Sequence, residues 1–342
     1  MLFEQIVTGG CQSYLIGCQA SRAAVLIDPE LSRVAEYRGL INQHGLHLRY
    51  VVDTHTHADH FSASREIRKG LDAAVVMHRL SPAPHAELRL DDGDMLVVGD
   101  LRLKAIHTPG HTRDSMCLLM GDRVFTGDTL HIGGTGRTDL PTGDPHALYE
   151  SLFDKLLTLA PETLVFPGHD YKGRTHSTIG AEITDNPRLQ KQERAAFVEM
   201  MQSLDLSAPT HLTEALRTNM TGAKPIAQLL SEAAAKVAFV SLAELAARIG
   251  DNSRDMVILD LREKDAFEAG HVPGAVHLPR GQLELRVNTE LPDPTVKILT
   301  CCEFGKISTL AAATLRELGY LRATALEGGL AAWREAGYPM SS

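Results

Sequence analysis

A dense group of candidate metal ligands lies between residues 54 and 60. Its members are His55, His57, Asp59 and His60, and they directly follow an apolar run at residues 50–52. Histidines two residues apart on a loop that leaves a strand can point two imidazoles toward one cavity. A surface loop has no need of so many imidazoles, and a core is destabilised by unpaired polar groups. The stretch therefore predicts a metal site.

Three more candidate ligands follow predicted strands elsewhere in the chain. His111, Asp128 and His169 each come within a few residues of the end of an apolar run. Loops at strand ends on a rigid sheet can hold side chains with the accuracy that a metal ion requires. We therefore expect four separate segments to converge on one site built from imidazole and carboxylate groups.

A second reactive centre is predicted at Cys302. Residues 296–300 form an apolar run typical of a buried strand, and a helical pattern from Ser308 to Leu318 stops at Gly319. Backbone N–H groups of a loop between a strand and a helix converge above a side chain placed there. Such a loop favours a bound anion.

Length, composition and charge indicate a globular protein of about two domains and argue against nucleic acid or an anionic membrane as its partner. A chain of 342 residues should form about two domains. Its 44% hydrophobic and 23% charged residues are ordinary for a globular protein. The net charge of -9 argues against nucleic acid or an anionic membrane as a partner, so an anionic substrate would need a local basic patch.

Cysteine and histidine usage indicates the type of metal chemistry. Sixteen histidines against five cysteines favour imidazole and carboxylate ligands, and five cysteines do not make a disulfide framework in a chain of this length. Cys11, Cys18 and Cys117 are predicted to be small core residues. The start of the sequence has no basic segment before an apolar one, and no run is long enough to span a membrane. We therefore predict a cytoplasmic protein.

The order of predicted elements indicates two domains of different type. Short strands with few helices dominate residues 1–222, which is an α+β pattern. Residues 223–236 are predicted to be a linker. In residues 237–342, strands and helices alternate, so we expect a doubly wound α/β domain with a parallel sheet and helices on both faces.

The ligand pattern resembles that of the metallo-β-lactamase fold family. The resemblance rests on the motif His55-Thr-His57-Ala-Asp59-His60 followed by His111, Asp128 and His169. The resemblance implies an αββα sandwich with metal at the rim between its sheets. Two chemistries remain open at this point. Two zinc ions bridged by Asp128 could hydrolyse a substrate, or His55, His111 and Asp128 alone could hold Fe(II) with neighbouring positions free.

Further segments resemble the persulfide dioxygenase branch of this family. They are residues 134–140, 167–173 and 178–189. The resemblance implies one Fe(II) per chain and oxidation of glutathione persulfide by O₂ to sulfite and glutathione. The implied iron ligands are His55, His111 and Asp128. The implied residues that orient the ligands and tune the iron are His57, Asp59, His60 and His169.

A glutathione substrate brings two carboxylates, which an acidic protein must bind with local donors. Arg137 offers a bidentate guanidinium, and Tyr171 offers a hydroxyl beside His169. Lys172 extends this basic patch. We therefore predict that Arg137, Tyr171 and Lys172 bind the substrate.

The C-terminal region resembles the rhodaneses. Landmarks are the segments 260–262, 270–275 and 327–333 together with the loop after Cys302. The implied active loop consists of Glu303, Phe304, Gly305, Lys306, Ile307 and Ser308. Glycine three positions and serine six positions after the nucleophile select Cys302, and Cys301 is then the last buried strand residue. Many rhodaneses carry arginine at the position of Ile307; Lys306 could supply that charge, while Glu303 opposes it.

The two resemblances together imply a persulfide dioxygenase fused to a rhodanese. The implied small-molecule partners are glutathione persulfide, glutathione, sulfite and thiosulfate, with no nucleic acid, no membrane, and a homodimer as an option. Two alternatives remain. One is a di-zinc hydrolase of the hydroxyacylglutathione type, and the other is a non-catalytic persulfide sensor or sulfur carrier.

Overall fold

The computed structural model describes residues 1–207, 212–251 and 255–342. The chain divides into two compact units, Met1–Ala223 and Lys224–Ser342. Each unit has hydrophobic clusters of its own.

Strands dominate the first unit. Its described strands are β1 (Leu2–Thr8), β2 (Cys11–Gly17), β3 (Ala23–Ile27), β4 (His47–Val52), β5 (Ala74–His78), β6 (Leu88–Leu90), β7 (Met95–Val98), β8 (Leu101–His107), β9 (Met116–Met120), β10 (Arg123–Gly127), β11 (Leu130–His131), β12 (Gly134–Thr135), β13 (Leu164–Pro167) and β14 (Ser177–Thr178). Its described α-helices are α1 (Val34–Gln43), α2 (Ser64–Arg68), α3 (Pro145–Tyr149), α4 (Ile179–Asp185), α5 (Arg194–Gln202) and α6 (Leu212–Thr221). Helix α3 continues into a π-helical turn, Glu150–Lys155, and short 3-10 helices lie at Leu31–Arg33 and Leu156–Thr158.

These strands form two mixed six-stranded sheets. The first has the order β1-β2-β3-β4-β5-β6, in which β3, β4, β5 and β6 run parallel to one another, while β2 pairs antiparallel with both β1 and β3. The second has the order β14-β13-β10-β9-β8-β7, in which only β10 and β13 pair in parallel. The short strands β11 and β12 pair as a separate hairpin.

Alternating side chains bury both faces of each sheet. In β2, Tyr14 and Ile16 join the core shared with Leu103 and Phe125 of the second sheet, while Leu15 points to the opposite face. Helices α1 and α2 cover the outer face of the first sheet, and α3, α4 and α5 cover the outer face of the second. The predicted αββα sandwich is therefore confirmed.

The second unit alternates helices and strands. Its described strands and α-helices are α7 (Ile226–Ala234), β15 (Ala238–Val240), α8 (Leu242–Gly250), β16 (Met256–Asp260), α9 (Lys264–Glu268), β17 (Val276–His277), α10 (Leu283–Glu290), β18 (Lys297–Cys301), α11 (Lys306–Glu317), β19 (Ala323–Leu326) and α12 (Gly329–Glu335). In the described part of the chain, no helix of either unit is long and apolar enough to cross a membrane.

The five strands of this unit form one parallel sheet in the order β15-β19-β18-β16-β17. Helices α10 and α11 pack on one face, and α8 and α12 pack on the other. Helices on both faces are required because all-parallel strands are buried on both sides. The predicted doubly wound domain is confirmed.

A helix occupies most of the segment that the sequence predicted to be a linker, residues 223–236. Helix α7 belongs to the second unit, and Ala233 and Val237 pack with Ala312, Ala313 and Ala325. The segment is therefore an element of the second unit, because its small apolar residues bury a seam against α11 and β19.

Candidate active sites

The predicted ligands meet at one end of the sandwich. His55 and His57 follow β4 of the first sheet. In the second sheet, His111 follows β8, Asp128 follows β10 and His169 follows β13. All five side chains are buried. The structure therefore brings together residues that are far apart in the sequence.

Three of these residues form a compact ligand set. One ligand atom each from His55, His111 and Asp128 lies within 4.8 Å of the other two. The distance from His111 Nε2 to Asp128 Oδ2 is 3.6 Å. Two imidazoles and one carboxylate on one side of a cavity are a donor set that suits Fe(II) and leaves other coordination positions open.

Hydrogen bonds leave the correct nitrogens of both histidines free for a metal. His111 Nδ1 donates to the carbonyl of Arg137 at 2.9 Å. Thr54 Oγ1 donates to Asp28 at 2.8 Å and therefore accepts from His55 Nδ1 at 3.0 Å. Both Nε2 atoms thus carry a lone pair, and His55 Nε2 is buried without a hydrogen-bond partner in the described structure. A bound metal would satisfy this atom, so the residues fit the predicted metal.

His57 is turned toward a different set of carboxylates. Its Nε2 lies 3.1 Å from Asp28 Oδ1 and 3.8 Å from Asp53 Oδ1. Burial and the neighbouring His60 lower the pKa of His57 to about 4. However, His57 Nδ1 and His60 Nε2 are also buried without partners among the described residues. The geometry by itself therefore admits one metal or two.

His169 holds Asp128 in place through the carboxylate oxygen that is not the nearer one to His111. Its Nδ1 donates to Asp128 Oδ1 at 2.6 Å, and its Nε2 donates to Asp59 Oδ2 at 2.8 Å. Burial lowers the pKa of His169, but the two carboxylates outweigh it and raise this pKa well above its usual value. The buried Asp128 has a pKa well below its usual value because His169 and His131 outweigh its desolvation. Asp128 is therefore oriented and kept ionised.

Cys11 belongs to this site, although the sequence predicted a small core residue. Its Sγ lies 3.3 Å from His169 Nε2, 3.6 Å from Asp59 Oδ2 and 3.8 Å from His60 Nδ1. Burial raises the pKa of Cys11, but hydrogen bonds and charge from His169 and His60 lower it overall. The thiol is half-buried at the cavity because β2 begins at the rim of the sandwich. By contrast, Cys18 and Cys117 are buried.

Asn219 on α6 holds the loop that carries His55, His57 and His60 through three hydrogen bonds. The sequence did not predict this residue as part of the site. Its Nδ2 donates to the carbonyls of His57 and His60 at 2.9 and 2.8 Å, and its Oδ1 accepts from Ser62 N at 3.0 Å. No local motif marks this residue, because its partners are about 160 positions earlier in the chain. One buried amide thus satisfies three backbone groups of the loop.

Replacing Asn219 with alanine is expected to lower the free energy of unfolding by about 2–3 kcal/mol, because buried backbone groups lose their partners. Metal retention should also fall, since the loop that carries His55 loosens. Urea denaturation and metal analysis of the full chain would measure both effects. The neighbouring Met220→Ala, at an exposed position of the same helix, should change stability by less than about 1 kcal/mol. Unchanged stability and metal content in the Asn219 variant would contradict this role of Asn219.

A cavity of about 570 Å³ lies beside the ligand set. Its lining includes His111, Asp128, His169, Arg137, Tyr171 and Arg188. A volume of this size accommodates a small-molecule ligand.

Two of the three predicted substrate-binding residues line this cavity. Arg137 forms a bidentate pair with Asp139 at 2.6 Å, so its guanidinium fork is already occupied. The Tyr171 side chain is 78% exposed, and its ring lies parallel to that of His169 at 5.9 Å. Lys172 is exposed and is not among the lining residues; its backbone N–H belongs to a turn around Asp170. The structure therefore does not bring Lys172 to the cavity.

Arg188 is a cavity cation that lies in one of the segments resembling persulfide dioxygenases but was not predicted to bind the substrate. Its Nη1 donates to the carbonyl and hydroxyl of Thr135 at 2.7 and 3.0 Å. In the residues that the structure describes, it forms no ion pair with a carboxylate. Desolvation lowers its pKa. Arg188 is therefore available for an anionic group in the cavity.

In the second unit, the loop after β18 encloses the Cys302 sulfur. Ser308 N donates to Cys302 Sγ at 3.2 Å, and the thiol lies 3.4 Å from Ser308 Oγ. Leu330 N donates to the Cys302 carbonyl at 2.9 Å and thereby ties the loop to α12. A Cβ at Gly329 would lie 2.6 Å from this carbonyl, so only glycine permits the approach. The predicted loop and glycine landmark therefore lie next to each other.

Two arginines compensate the unfavourable charge of Glu303. Its carboxylate pairs with Arg334 and with Arg262, the latter at 3.5 Å. Arg262 also pairs with the buried Asp260 at 2.7 Å. Phe304 and Ile307 are 69% and 49% exposed. The outer surface of the loop therefore presents mostly apolar side chains.

Cys301 occupies a different environment from its neighbour. It is fully buried as the last residue of β18, and its thiol donates to the carbonyl of Leu259 at 3.5 Å. Burial and the nearby Asp260 raise the pKa of Cys301 well above its usual value. It therefore stays a neutral thiol.

Comparisons with known proteins agree with both units. Residues 6–169 match the model of the metallo-beta-lactamase superfamily, and residues 241–336 match that of the rhodanese-like domain. The chain is 41% identical over 211 residues to the mitochondrial persulfide dioxygenase ETHE1 of Homo sapiens. That match covers 61% of this chain and 82% of the human protein.

Two solved structures resemble this chain, one over its first part and the other over nearly its whole length. ETHE1 from Myxococcus xanthus has a TM-score of 0.63 and 43% identity, covering 64% of this chain and 98% of its own. A metallo-beta-lactamase from Staphylococcus aureus subsp. aureus COL has a TM-score of 0.61 and 24% identity. It covers 96% of this chain and 98% of its own, and it shows the fold alone. The chain therefore belongs to the persulfide dioxygenase family within the metallo-beta-lactamase superfamily, and it carries a C-terminal rhodanese-like domain.

Proposed function

We propose that the first unit is an iron-dependent dioxygenase that oxidises glutathione persulfide to sulfite and glutathione. The observation that carries this proposal is the set of His55, His111 and Asp128, with free Nε2 lone pairs beside a cavity of about 570 Å³. Its similarity to persulfide dioxygenases supports the same chemistry. Fe(II) bound to these three residues would supply O₂ activation for oxidation of the outer sulfur.

The surrounding residues keep the three ligands in position. Thr54 fixes the ring of His55, the Arg137 carbonyl fixes that of His111, and His169 fixes the carboxylate of Asp128. Such partners set ligand orientation and basicity. We propose that His57, Asp59 and His60 act in the same way through the hydrogen bonds of the ligand loop.

Arg188 is proposed to bind a carboxylate of the glutathione part, with Tyr171 in the same cavity. For Arg137 to bind the substrate as predicted, its guanidinium would have to exchange Asp139 for a substrate carboxylate. Replacing Arg188 with glutamine should raise the KM for glutathione persulfide about tenfold, with a smaller change in kcat, because a charge-assisted hydrogen bond is lost away from the reacting sulfur. Initial rates of O₂ consumption would measure both constants. Arg194→Gln, which removes an exposed arginine paired with Glu150, is the matched control. An unchanged KM would remove Arg188 from the substrate site.

An oxygen electrode and metal analysis test the proposed dioxygenase. The iron-loaded protein should hold one iron per chain, consume O₂ when glutathione persulfide is added, and release sulfite in equal amount. Two zinc ions per chain, with hydrolysis of a glutathione thioester and no O₂ uptake, would instead establish the hydrolase. Neither activity in the iron-loaded protein would favour the non-catalytic sensor.

For the second unit, we propose sulfur transfer at Cys302 between glutathione persulfide, sulfite and thiosulfate. The enclosed sulfur and the Ser308 amide that points to it support a bound persulfide anion. A persulfide on Cys302 could pass its outer sulfur to sulfite, which leaves as thiosulfate and regenerates the thiolate. Sulfite from the first site would then be an acceptor at the second.

A further inference from the structure

Two backbone hydrogen bonds hold Cys11 at the wall of the cavity beside the ligand set. Cys11 and His169 form an isolated antiparallel bridge. The residues that flank Cys11 bond through their backbones to those that flank His169, at 2.8 and 2.9 Å. The Cys11 side chain is half-buried and lines the cavity of about 570 Å³. The backbone therefore fixes the place of a thiol that a molecule bound in the cavity can reach.

The groups around the Cys11 sulfur suit a nucleophile. His169 Nε2 lies 3.3 Å from Cys11 Sγ and 2.8 Å from Asp59 Oδ2. His60 Nδ1 lies 3.8 Å from the sulfur and 3.1 Å from the same carboxylate oxygen. A thiol beside an imidazole that a carboxylate orients is the arrangement of an activated cysteine. Of the five cysteines, all of which lie in the described ranges, only Cys11 has a hydrogen-bond contact to a histidine.

The cavity that Cys11 lines is also the one that serves the ligand set. Its wall includes His111 and Asp128, two of the three residues that would hold the iron. Arg188 faces the same cavity and has no carboxylate partner in the part of the chain that the structure describes. A glutathione persulfide bound there for oxidation would therefore share the cavity with the Cys11 thiol.

We propose that Cys11 takes the outer sulfur from glutathione persulfide bound in this cavity and becomes a persulfide itself, in competition with oxidation. The inference rests on the binding of glutathione persulfide by the first unit that is proposed above. The Cys11 thiolate attacks the outer sulfur and forms a new sulfur–sulfur bond, while the sulfur–sulfur bond of the donor breaks. Glutathione thiolate leaves with the electron pair and takes up a proton from solvent. The transferred sulfur keeps its oxidation state, so the step needs no oxidant or reductant, and excess glutathione reverses it.

Loading of the full chain without O₂ tests this step, because oxidation then stops. The iron-loaded Cys302→Ser protein removes the nucleophile of the second unit. After it is mixed with glutathione persulfide, peptide mass spectrometry should find one added sulfur atom on Cys11, with release of one glutathione per chain. Adding Cys11→Ser should abolish both signals. Adding Cys18→Ser instead, which changes a buried cysteine directly after β2, should leave them as they were.

The same preparation separates this step from the proposed dioxygenase. If the Cys302→Ser protein consumes O₂ with glutathione persulfide but its Cys11 stays unmodified without O₂, the inference is overturned and the dioxygenase stands. If Cys11 is loaded but no O₂ is consumed in air, sulfur transfer to Cys11 is supported and the dioxygenase is overturned.

Arg188→Gln tests whether the donor is bound in the cavity when it reacts. In the Cys302→Ser protein, it should lower the second-order rate constant for loading Cys11 from glutathione persulfide about tenfold, because a charge-assisted hydrogen bond is lost. Loading from 2-hydroxyethyl persulfide, which has no carboxylate, should change by less than about twofold. Arg194→Gln, at the exposed arginine paired with Glu150, should leave both rate constants unchanged. An unchanged ratio of the two constants in Arg188→Gln, with a raised KM for O₂ consumption, would overturn the inference.

Discussion

Asp128→Ala is expected to lower persulfide-dependent O₂ consumption by more than about a hundredfold. Loss of a residue that only orients a metal ligand already costs about 10- to 100-fold, and Asp128 would be a ligand itself. The substitution also leaves Nδ1 of the buried His169 without its carboxylate at 2.6 Å. The affinity for the metal should therefore fall, and the remaining ligands should be less well positioned.

Metal content must be measured along with O₂ uptake in this variant. Asp122→Ala is a matched control, because it removes an exposed carboxylate that pairs with Arg123 at the start of β10. The control should keep both metal and activity. If the Asp128 variant retained bound iron and full O₂ uptake, the proposed ligand set would be wrong.

Cys302→Ser is expected to abolish sulfur transfer, with a loss of more than about a hundredfold, because a hydroxyl does not form the persulfide intermediate. O₂ consumption should continue, since the dioxygenase ligands all belong to the first unit. Transfer from glutathione persulfide to sulfite, followed as thiosulfate, and the oxygen electrode would be read on the same preparation.

Cys301→Ser is the matched control for this experiment. Cys301 is buried in the sheet, and its pKa is held well above the usual value by burial and Asp260, so its replacement should leave transfer intact. A serine hydroxyl could keep the hydrogen bond to Leu259, which limits the effect on stability. Transfer that survives in the Cys302 variant but stops in the Cys301 variant would exchange the proposed roles.

The architecture and the reactive residues of each unit could be predicted from local sequence. Near-continuous apolar runs, such as residues 23–27 and 74–77, specify strands buried on both faces, and strand–helix alternation specifies a parallel sheet. Residue type and spacing also marked seven candidate metal ligands and Cys302, because metal ligation and nucleophilic chemistry need particular side chains at the ends of strands. The choice of His55, His111 and Asp128 among the seven came from the resemblance to persulfide dioxygenases. Such information is contained within a few neighbouring residues.

Contacts between distant segments could not be predicted in this way. Cys11 meets His169 across 158 positions, and Asn219 meets His60 across 159. The tertiary structure also showed that Arg137 is already paired with Asp139 and that Arg188 faces the cavity without a carboxylate partner among the described residues. It likewise placed α7 beside the loop that follows Cys302. By itself, the sequence determined the elements, the two folds and the reactive groups. The packing of those elements decided which side chains surround each group, because such proximity depends on how whole sheets and helices stack and leaves no local pattern in the chain.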